Sequence, residues 1–375
     1  MKKFFAMAMV AVMAAASLTG CGSTSSNNSS SSSDAETLVI GGTGPLTGDN
    51  ATYGISCKNG ATIAMEEINA AGGVNGVMFS VLYEDDQADP SLAVSAYNRL
   101  MDQGMQVCLG GVTSGACIAV NEETNKDGIL SITPSASQKE CVQYDNAFRI
   151  CFQDPDLGTY AAEFMKEKNL TEAVAVLYDK SNDYSAGIYN AFQAKADEIG
   201  LNVVTVQAFT DQSNTDFSVQ LQAVKDSGAD TLFIPIYAQE AAYILTQAAA
   251  LGLDVTFFGV DGLDGILEKI GEDNLALTED VILVTPFIAT AESSADFTAK
   301  YQEEFGMVPD QFAADAYDAV YAVAAAMEQA GVKPSDENFN EAMIAAMTQI
   351  TVDGLTGTMT WTADGECQKD ATAVV

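Results

Sequence analysis

The sequence predicts an α/β protein: two doubly wound parallel-sheet lobes joined by a multi-strand hinge, with a ligand cleft between them. Three observations carry that reading. Short apolar strands alternate with helical stretches along most of the chain, the mark of successive βαβ units. The alternation starts afresh after Arg149, so there are two series and not one. Strands in both series end in polar, glycine-rich or aromatic turns, which a parallel sheet gathers at one edge. The roughly 340 residues after an N-terminal leader are also long for a single core.

In chain order, residues 37–40 read as a strand, followed by GGTGPLTGDNATYG. That loop fails as a dinucleotide fingerprint, because the third glycine is missing and Pro45 interrupts it; it is expected to be a turn. Ala61, Ala64, Met65 and Ile68 follow helical spacing and stop at Gly72-Gly73. Residues 77–83 form a strand, and Asp89-Pro90 caps a helix that ends near Gly104. Residues 107–109 run into Gly110-Gly111, a helix starts near Gly115, and residues 129–133 repeat the arrangement before Pro134-Ser135-Ala136-Ser137. Free backbone N–H groups and hydroxyls at two such turns, one crossover apart, suit a carboxylate, which makes Ser114 and Ser137 the first site residues. A single Gly-Ser turn would only be a connection.

The second series has strands at 173–178, 203–207, 231–235 and 256–259, with helices such as 186–199 and 217–227 between them. Its strand ends carry Tyr184, Tyr237 and Asp261. Residues 281–285 lead to helical stretches at 294–305, 313–330 and 338–347, and a hairpin-like GLTGTMTW closes the chain. The crossovers at 151–154 and 285–287 show few signs of a packed core and are the hinge candidates. The expected division is 36–151 with 286–361 as the first lobe, and 152–285 with 362–375 as the second lobe and hinge.

The leader explains location. Lys2 and Lys3 precede an apolar run over 4–16, too short to span a bilayer of roughly 30 Å as a helix. Leu18-Thr19-Gly20-Cys21 resembles the lipobox of bacterial lipoproteins. Residues 1–20 are then a signal peptide, and Cys21 becomes a lipidated N-terminus tethering the protein outside the cytoplasmic membrane. Residues 22–33 are all Ser, Asn, Thr and Gly, and with Cys21 the segment 21–35 is a flexible tether reaching roughly 20 Å.

Composition excludes several classes of function. A formal charge of −36 repels nucleic acid and anionic lipid. There is no histidine, which removes Ser-His-Asp and Cys-His chemistry and most zinc sites. Without a nucleophile–base pair an enzyme is not expected, nor are a cofactor or a metal. Cys57, Cys108, Cys117, Cys141, Cys151 and Cys367 have no CxxC spacing, and their pairing stays open. Cys108 reads as a buried thiol. The two arginines, Arg99 and Arg149, sit away from the strand-end turns by this reading, so a second ligand carboxylate would lack a bidentate clamp. The lone Trp361 argues against a sugar. A small ligand with one carboxylate fits best, a neutral aliphatic amino acid first, with small amides and peptides behind it.

GPLTG with Tyr53, then YEDDQADP, GGVTSG, SITPSAS, YDKSNDYSAG, PIYAQE, FFGVDG and TGTMTW occur in order. With these segments the chain resembles the substrate-binding lipoproteins of branched-chain amino acid ABC transporters, the leucine/isoleucine/valine-binding family with a type I periplasmic binding fold. The likeness covers about 37–361. It implies capture of a branched-chain aliphatic amino acid for permease and ATPase subunits, by a monomer held to the membrane through Cys21. A ligand-sensing ectodomain for another small amino acid, amide or peptide is the alternative. By position the resemblance makes Ser114 and Ser137 the carboxylate ligands, with Ser135 offering its backbone. Asp261 becomes the ammonium partner, Tyr184 and Tyr237 second-lobe contacts, and Tyr53, Val112 and Phe312 the border of the side-chain pocket. Three departures stand out. Asp261 is shorter than the family's glutamate, Ala88 and Thr113 replace a cysteine pair near the first-lobe site, and the chain stops at Val375, leaving a return to the second lobe in doubt.

Overall fold

In the computed structural model the described residues are 36–369 and 373–374. The signal peptide, Cys21 and the tether lie outside them. Strand β1 (Thr37–Gly44) is followed by α1 (Ala51–Ala70), β2 (Met78–Asp85), α2 (Pro90–Asp102), β3 (Val107–Leu109), α3 (Ser114–Asp127), β4 (Ser131–Thr133) and β5 (Ala147–Arg149). These strands form one parallel sheet in the order β2-β1-β3-β4-β5. The second series runs α4 (Asp154–Glu167), β6 (Val174–Asp179), α5 (Asp183–Ile199), β7 (Val203–Phe209), α6 (Ser218–Ser227), β8 (Thr231–Phe233), α7 (Ala238–Leu251), β9 (Thr256–Gly259), α8 (Ile266–Lys269) and β10 (Ile282–Val284). Its sheet order, β10-β9-β8-β6-β7, is the same winding repeated. Each sheet therefore has a switch point, β1/β3 in the first and β6/β8 in the second, where a crevice opens outside the strand ends.

The remaining elements return to the first sheet. Helices α9 (Ala295–Phe305), α10 (Gln311–Ala330) and α11 (Phe339–Met347) precede a three-stranded antiparallel sheet of β11 (Thr351–Gly354), β12 (Gly357–Trp361) and β13 (Cys367–Gln368). Strand β14 (Ala373–Val374) then pairs antiparallel with β10. The segment expected with the second lobe thus divides: β13 stays on the hairpin, and the return to the second sheet, doubted from sequence, is made by β14. Among the described residues no helix is long and apolar enough to cross a membrane.

Several element limits differ from the sequence reading, each for a contact the sequence does not display. The GGTG segment is strand, not turn: β1 continues to Gly44, and a Cβ at Gly42 would lie 2.5 Å from the Tyr83 ring. Helix α1 begins at Ala51, well before its apolar stripe. Its interior glycine is needed there, since a Cβ at Gly60 would sit 1.9 Å from the Ala313 carbonyl of α10. The hinge candidates are packed, not loose. Cys151, Asp154, Thr285 and Phe287 are all buried, and Asp154 opens α4. One apolar cluster runs through both lobes and includes Tyr53, Leu263 and Phe312.

Candidate functional site

Two turns of the first sheet build one wall of the cleft. After β3, Gly111 lets the chain pass close to α3, where a Cβ would meet the Cys117 backbone nitrogen at 2.5 Å. Thr113 takes the N-cap position and Ser114 opens the 14-residue helix, so the free N–H groups and positive end of α3 face the cleft. The turn after β4 is tied to it: Ser135 Oγ donates to the Val112 carbonyl at 2.8 Å, and the Gln138 N–H donates to Ser114 Oγ at 3.3 Å. Arg149 closes the turn from behind. Contrary to the sequence reading it ends β5 beside this turn, donating to the carbonyls of Ala136, Gln138 and Lys139 and pairing with Glu366 at 2.9 Å. Those contacts engage the guanidinium within the fold and leave it poorly placed to clamp a second ligand carboxylate.

The opposite wall comes from the strand ends of the second sheet. Tyr184 lies in the first turn of α5, Tyr237 precedes α7, and their rings stack at 5.0 Å. Tyr184 OH donates to Asp261 Oδ1 at 2.7 Å and accepts from the Gly262 N–H at 2.9 Å. Burial pushes the Asp261 carboxyl up to about 7; the Tyr184 and Gly262 hydrogen bonds oppose the shift, and Asp315 and Asp264 add to it. Across the cleft, Tyr53 OH donates to the Gly262 carbonyl at 2.7 Å and accepts from the Ala238 N–H at 2.8 Å. Its ring meets Phe312 edge-on at 4.8 Å and Tyr237 at 5.4 Å.

Between the walls lies a narrow cavity, with about 280 Å³ free of atoms when the open solvent at its mouth is included. Tyr53, Val112, Thr113, Ser114, Ser135, Tyr184, Tyr237, Asp261 and Phe312, all singled out from sequence, line it together with Gly262. Ser137 does not. It is buried beside the cavity wall, and its hydroxyl makes no hydrogen bond of good geometry. An outer chamber of about 420 Å³ shares Thr113, Tyr184 and Tyr237 with the inner one. Six carboxylates border it, from Asp49, Asp89, Asp179, Asp183, Asp211 and Glu240, and no lysine or arginine.

Sequence reasoning missed Asp154. Only 1 % exposed, it carries two carboxylate oxygens without a hydrogen-bond donor. Burial raises its pKa well above the carboxylate range; the nearby Ser137 hydroxyl and Arg149 oppose this, while the charges of Asp261 and Glu140 add to it. The Asp154 N–H donates to the Ser137 carbonyl at 2.8 Å, which fixes it beside the second turn. An Asp-Pro pair at a helix start reads as a cap, but Gln153 holds the cap position, so no sequence signal separates this buried acid from an ordinary cap. Among the described residues no group of three or more Cys, Asp or Glu side chains is arranged to hold a metal ion.

Comparison with known proteins agrees with this architecture. The model of the periplasmic binding protein family matches residues 37–374. The chain is 31 % identical over 305 residues to the leucine-, isoleucine-, valine-, threonine- and alanine-binding protein of Pseudomonas aeruginosa, covering 79 % of each chain. It is 30 % identical to the Leu/Ile/Val-binding protein BraC3 of Rhizobium johnstonii over 78 % of this chain and 80 % of the relative. Among solved structures, the branched-chain amino acid transporter substrate-binding protein LivJ of Streptococcus pneumoniae, in complex with isoleucine, superposes with a TM-score of 0.81 at 29 % identity. The match covers 90 % of this chain and 95 % of that one. The leucine-binding protein LivK of Thermotoga maritima gives 0.79 at 25 % identity, covering 90 % and 98 %. Two lobes of one winding, a cleft at their switch points and a family match over almost every described residue make the chain a member of the periplasmic binding protein family, with the type I fold.

Proposed function

We propose that this protein is the extracytoplasmic substrate-binding component of an ABC importer, capturing a neutral branched-chain aliphatic amino acid and delivering it to a membrane permease. The observation that carries the reading is the division of the inner cavity. One wall offers hydroxyls, backbone N–H groups and a helix N-terminus; the other offers buried carboxylate. A zwitterionic amino acid needs that pair of environments a few ångströms apart.

In this reading the ligand carboxylate lies against Ser114 and the turn of Ser135 and Ser137. Its ammonium lies against Asp261. Tyr53, Val112, Thr113 and Phe312 border the aliphatic side chain, while Tyr184 and Tyr237 close over it from the second lobe. The binding step needs no cofactor and no bond is made or broken, in keeping with a family of binders. A second carboxylate on the ligand would meet no free arginine and would have to pass an acidic outer chamber, which disfavours aspartate and glutamate. The names borne by the relatives support the branched-chain class. A lipid on Cys21 would keep the monomer near its permease.

Titration calorimetry tests the reading, on protein unfolded and refolded to strip any carried ligand. Leucine, isoleucine and valine should bind and glutamate should not. Absence of binding by every neutral amino acid would overturn it.

A further inference from the structure

The two hydroxyl-bearing turns rest on a pair of thiols that ligand binding does not use. Cys117 lies one helical turn after Ser114 in α3, and Cys141 lies in the 3₁₀ turn Lys139–Val142 that follows Ser137. Both are fully buried, and with Ala136 they form a small apolar cluster of their own. Cys141 Sγ lies 3.7 Å from the Ser114 carbonyl. Asn121 Nδ2 reaches both cysteines, donating to Cys117 Sγ at 3.5 Å and to the Cys141 carbonyl at 2.6 Å. Burial first, and then a hydrogen bond with the Cys117 thiol, push the Cys141 thiol well above its ordinary range. Two other described cysteines have partners of their own: Cys57 donates to the Phe312 carbonyl at 3.5 Å, and Cys108 packs in the cluster of α2, its thiol raised by burial first and then by the nearby Cys117.

We infer that Cys117 and Cys141 become a disulfide when the chain folds in an oxidising compartment, and that the bond fastens the two anion-facing turns into one body. An extracytoplasmic protein meets disulfide-bearing exchange partners, whereas a cytosolic one does not. The two thiols release two protons, two electrons reduce the partner's disulfide to two thiols, and one Sγ–Sγ bond forms. Protonated, fully buried thiols react slowly, so the bond is made during folding, before the cluster closes. The loop it closes contains β4, Ser135 and Ser137. Holding that loop restricts the unfolded chain and limits the relative motion of Ser114 and the second turn. The inference uses the location and the packing and is independent of which ligand binds.

The test uses the full chain, refolded in a glutathione–glutathione disulfide buffer and then denatured in an alkylating reagent. Cys117 and Cys141 should escape alkylation, and fragmentation of the linked peptides should place the bridge between them. Cys108→Ala should keep the bridge and Cys117→Ala should lose it. If the Cys117 variant does not fold, the map of the unmodified chain decides alone. Reduction should lower the thermal midpoint by several degrees, the scale expected for releasing a loop of this kind. Alkylation of both residues after oxidative refolding, or a bridge from either one to another cysteine, overturns the inference. A bridge whose reduction leaves the midpoint unchanged overturns the fastening.

Discussion

Asp261 is held under two opposed demands, burial that favours its neutral form and a proposed ligand that requires its charge. Asp261→Asn should weaken leucine binding by about 2–5 kcal/mol, because the ligand's cation would be buried without its counter-charge. Unchanged affinity in calorimetry would remove Asp261 from the site. With the carboxyl pushed up to about 7, the ammonium must displace a proton at acid pH. Affinity should therefore fall as pH drops below about 7, approaching about tenfold per unit. Stability of the empty protein has its own sign. The unfolded carboxyl ionises near its ordinary value of about 3.9, while the folded one holds its proton to about 7. Folding is thus favoured at acid pH, and this contribution is lost as pH rises between those values. Asp264, raised to about 6, and Asp310, raised to about 8, act in the same direction. The ligand-free thermal midpoint should be higher at pH 5 than at pH 8; the reverse order would show that other groups control the balance.

At the scale of elements, the closed cleft is held by bonds that involve no ligand. Tyr53 of α1 grips the Gly262 carbonyl and the Ala238 N–H at the start of α7. At the start of α10, Gln311 donates from its backbone to Asp264 Oδ2 at 2.9 Å and from its side chain to the Asp261 carbonyl at 3.1 Å. A buried phenol that both donates and accepts cannot be replaced by an apolar ring without leaving its partners unpaired. Tyr53→Phe should shift the empty protein toward an open arrangement and weaken ligand binding by about 1–3 kcal/mol, since closure is linked to binding. Small-angle scattering of the ligand-free variant should give a larger radius of gyration than the parent. Equal radii would mean that apolar packing of Tyr53 on Phe312 suffices.

For the whole molecule, the third crossing between the sheets supplies an anchor. Lys369, just after β13, has a fully buried side chain. Its ammonium pairs with Asp315 Oδ1 of α10 at 3.1 Å, donates to Thr356 Oγ1 at 2.8 Å and lies 5.3 Å from the Phe152 ring centre at the first crossing. Lys369→Met leaves Asp315 buried without a cation and should lower stability by about 3–5 kcal/mol, read by chemical denaturation. A variant of parental stability would show that Asp315 simply takes up a proton. In the wild type, saturating leucine should shorten the pair-distance distribution, because a ligand touching both walls favours the closed arrangement. Tight binding with identical scattering in both states would count against hinge closure.

The sequence by itself determined the class of fold, because alternating strand and helix patterns are local and each half of the chain repeats them. It also marked the strand-end residues that face the cleft, since a parallel sheet puts every such turn at one edge. Ser114, Tyr237 and Asp261 were legible for that reason, and the absence of histidine ruled out several chemistries outright. What only tertiary structure decided depends on approaches between residues far apart in the chain. The glycines of β1 looked like a turn until Tyr83 was placed against Gly42. Asp154 fell in a segment read as a hinge until the second turn and α5 enclosed it, and Ser137, read as a carboxylate ligand, does not line the inner cavity. The hinge segments looked loose because apolar spacing cannot register burial supplied by two lobes at once. Tyr53 reads locally as one aromatic in a turn; its bonds to Ala238 and Gly262 exist only because folding brings a residue of the first series onto the strand ends of the second.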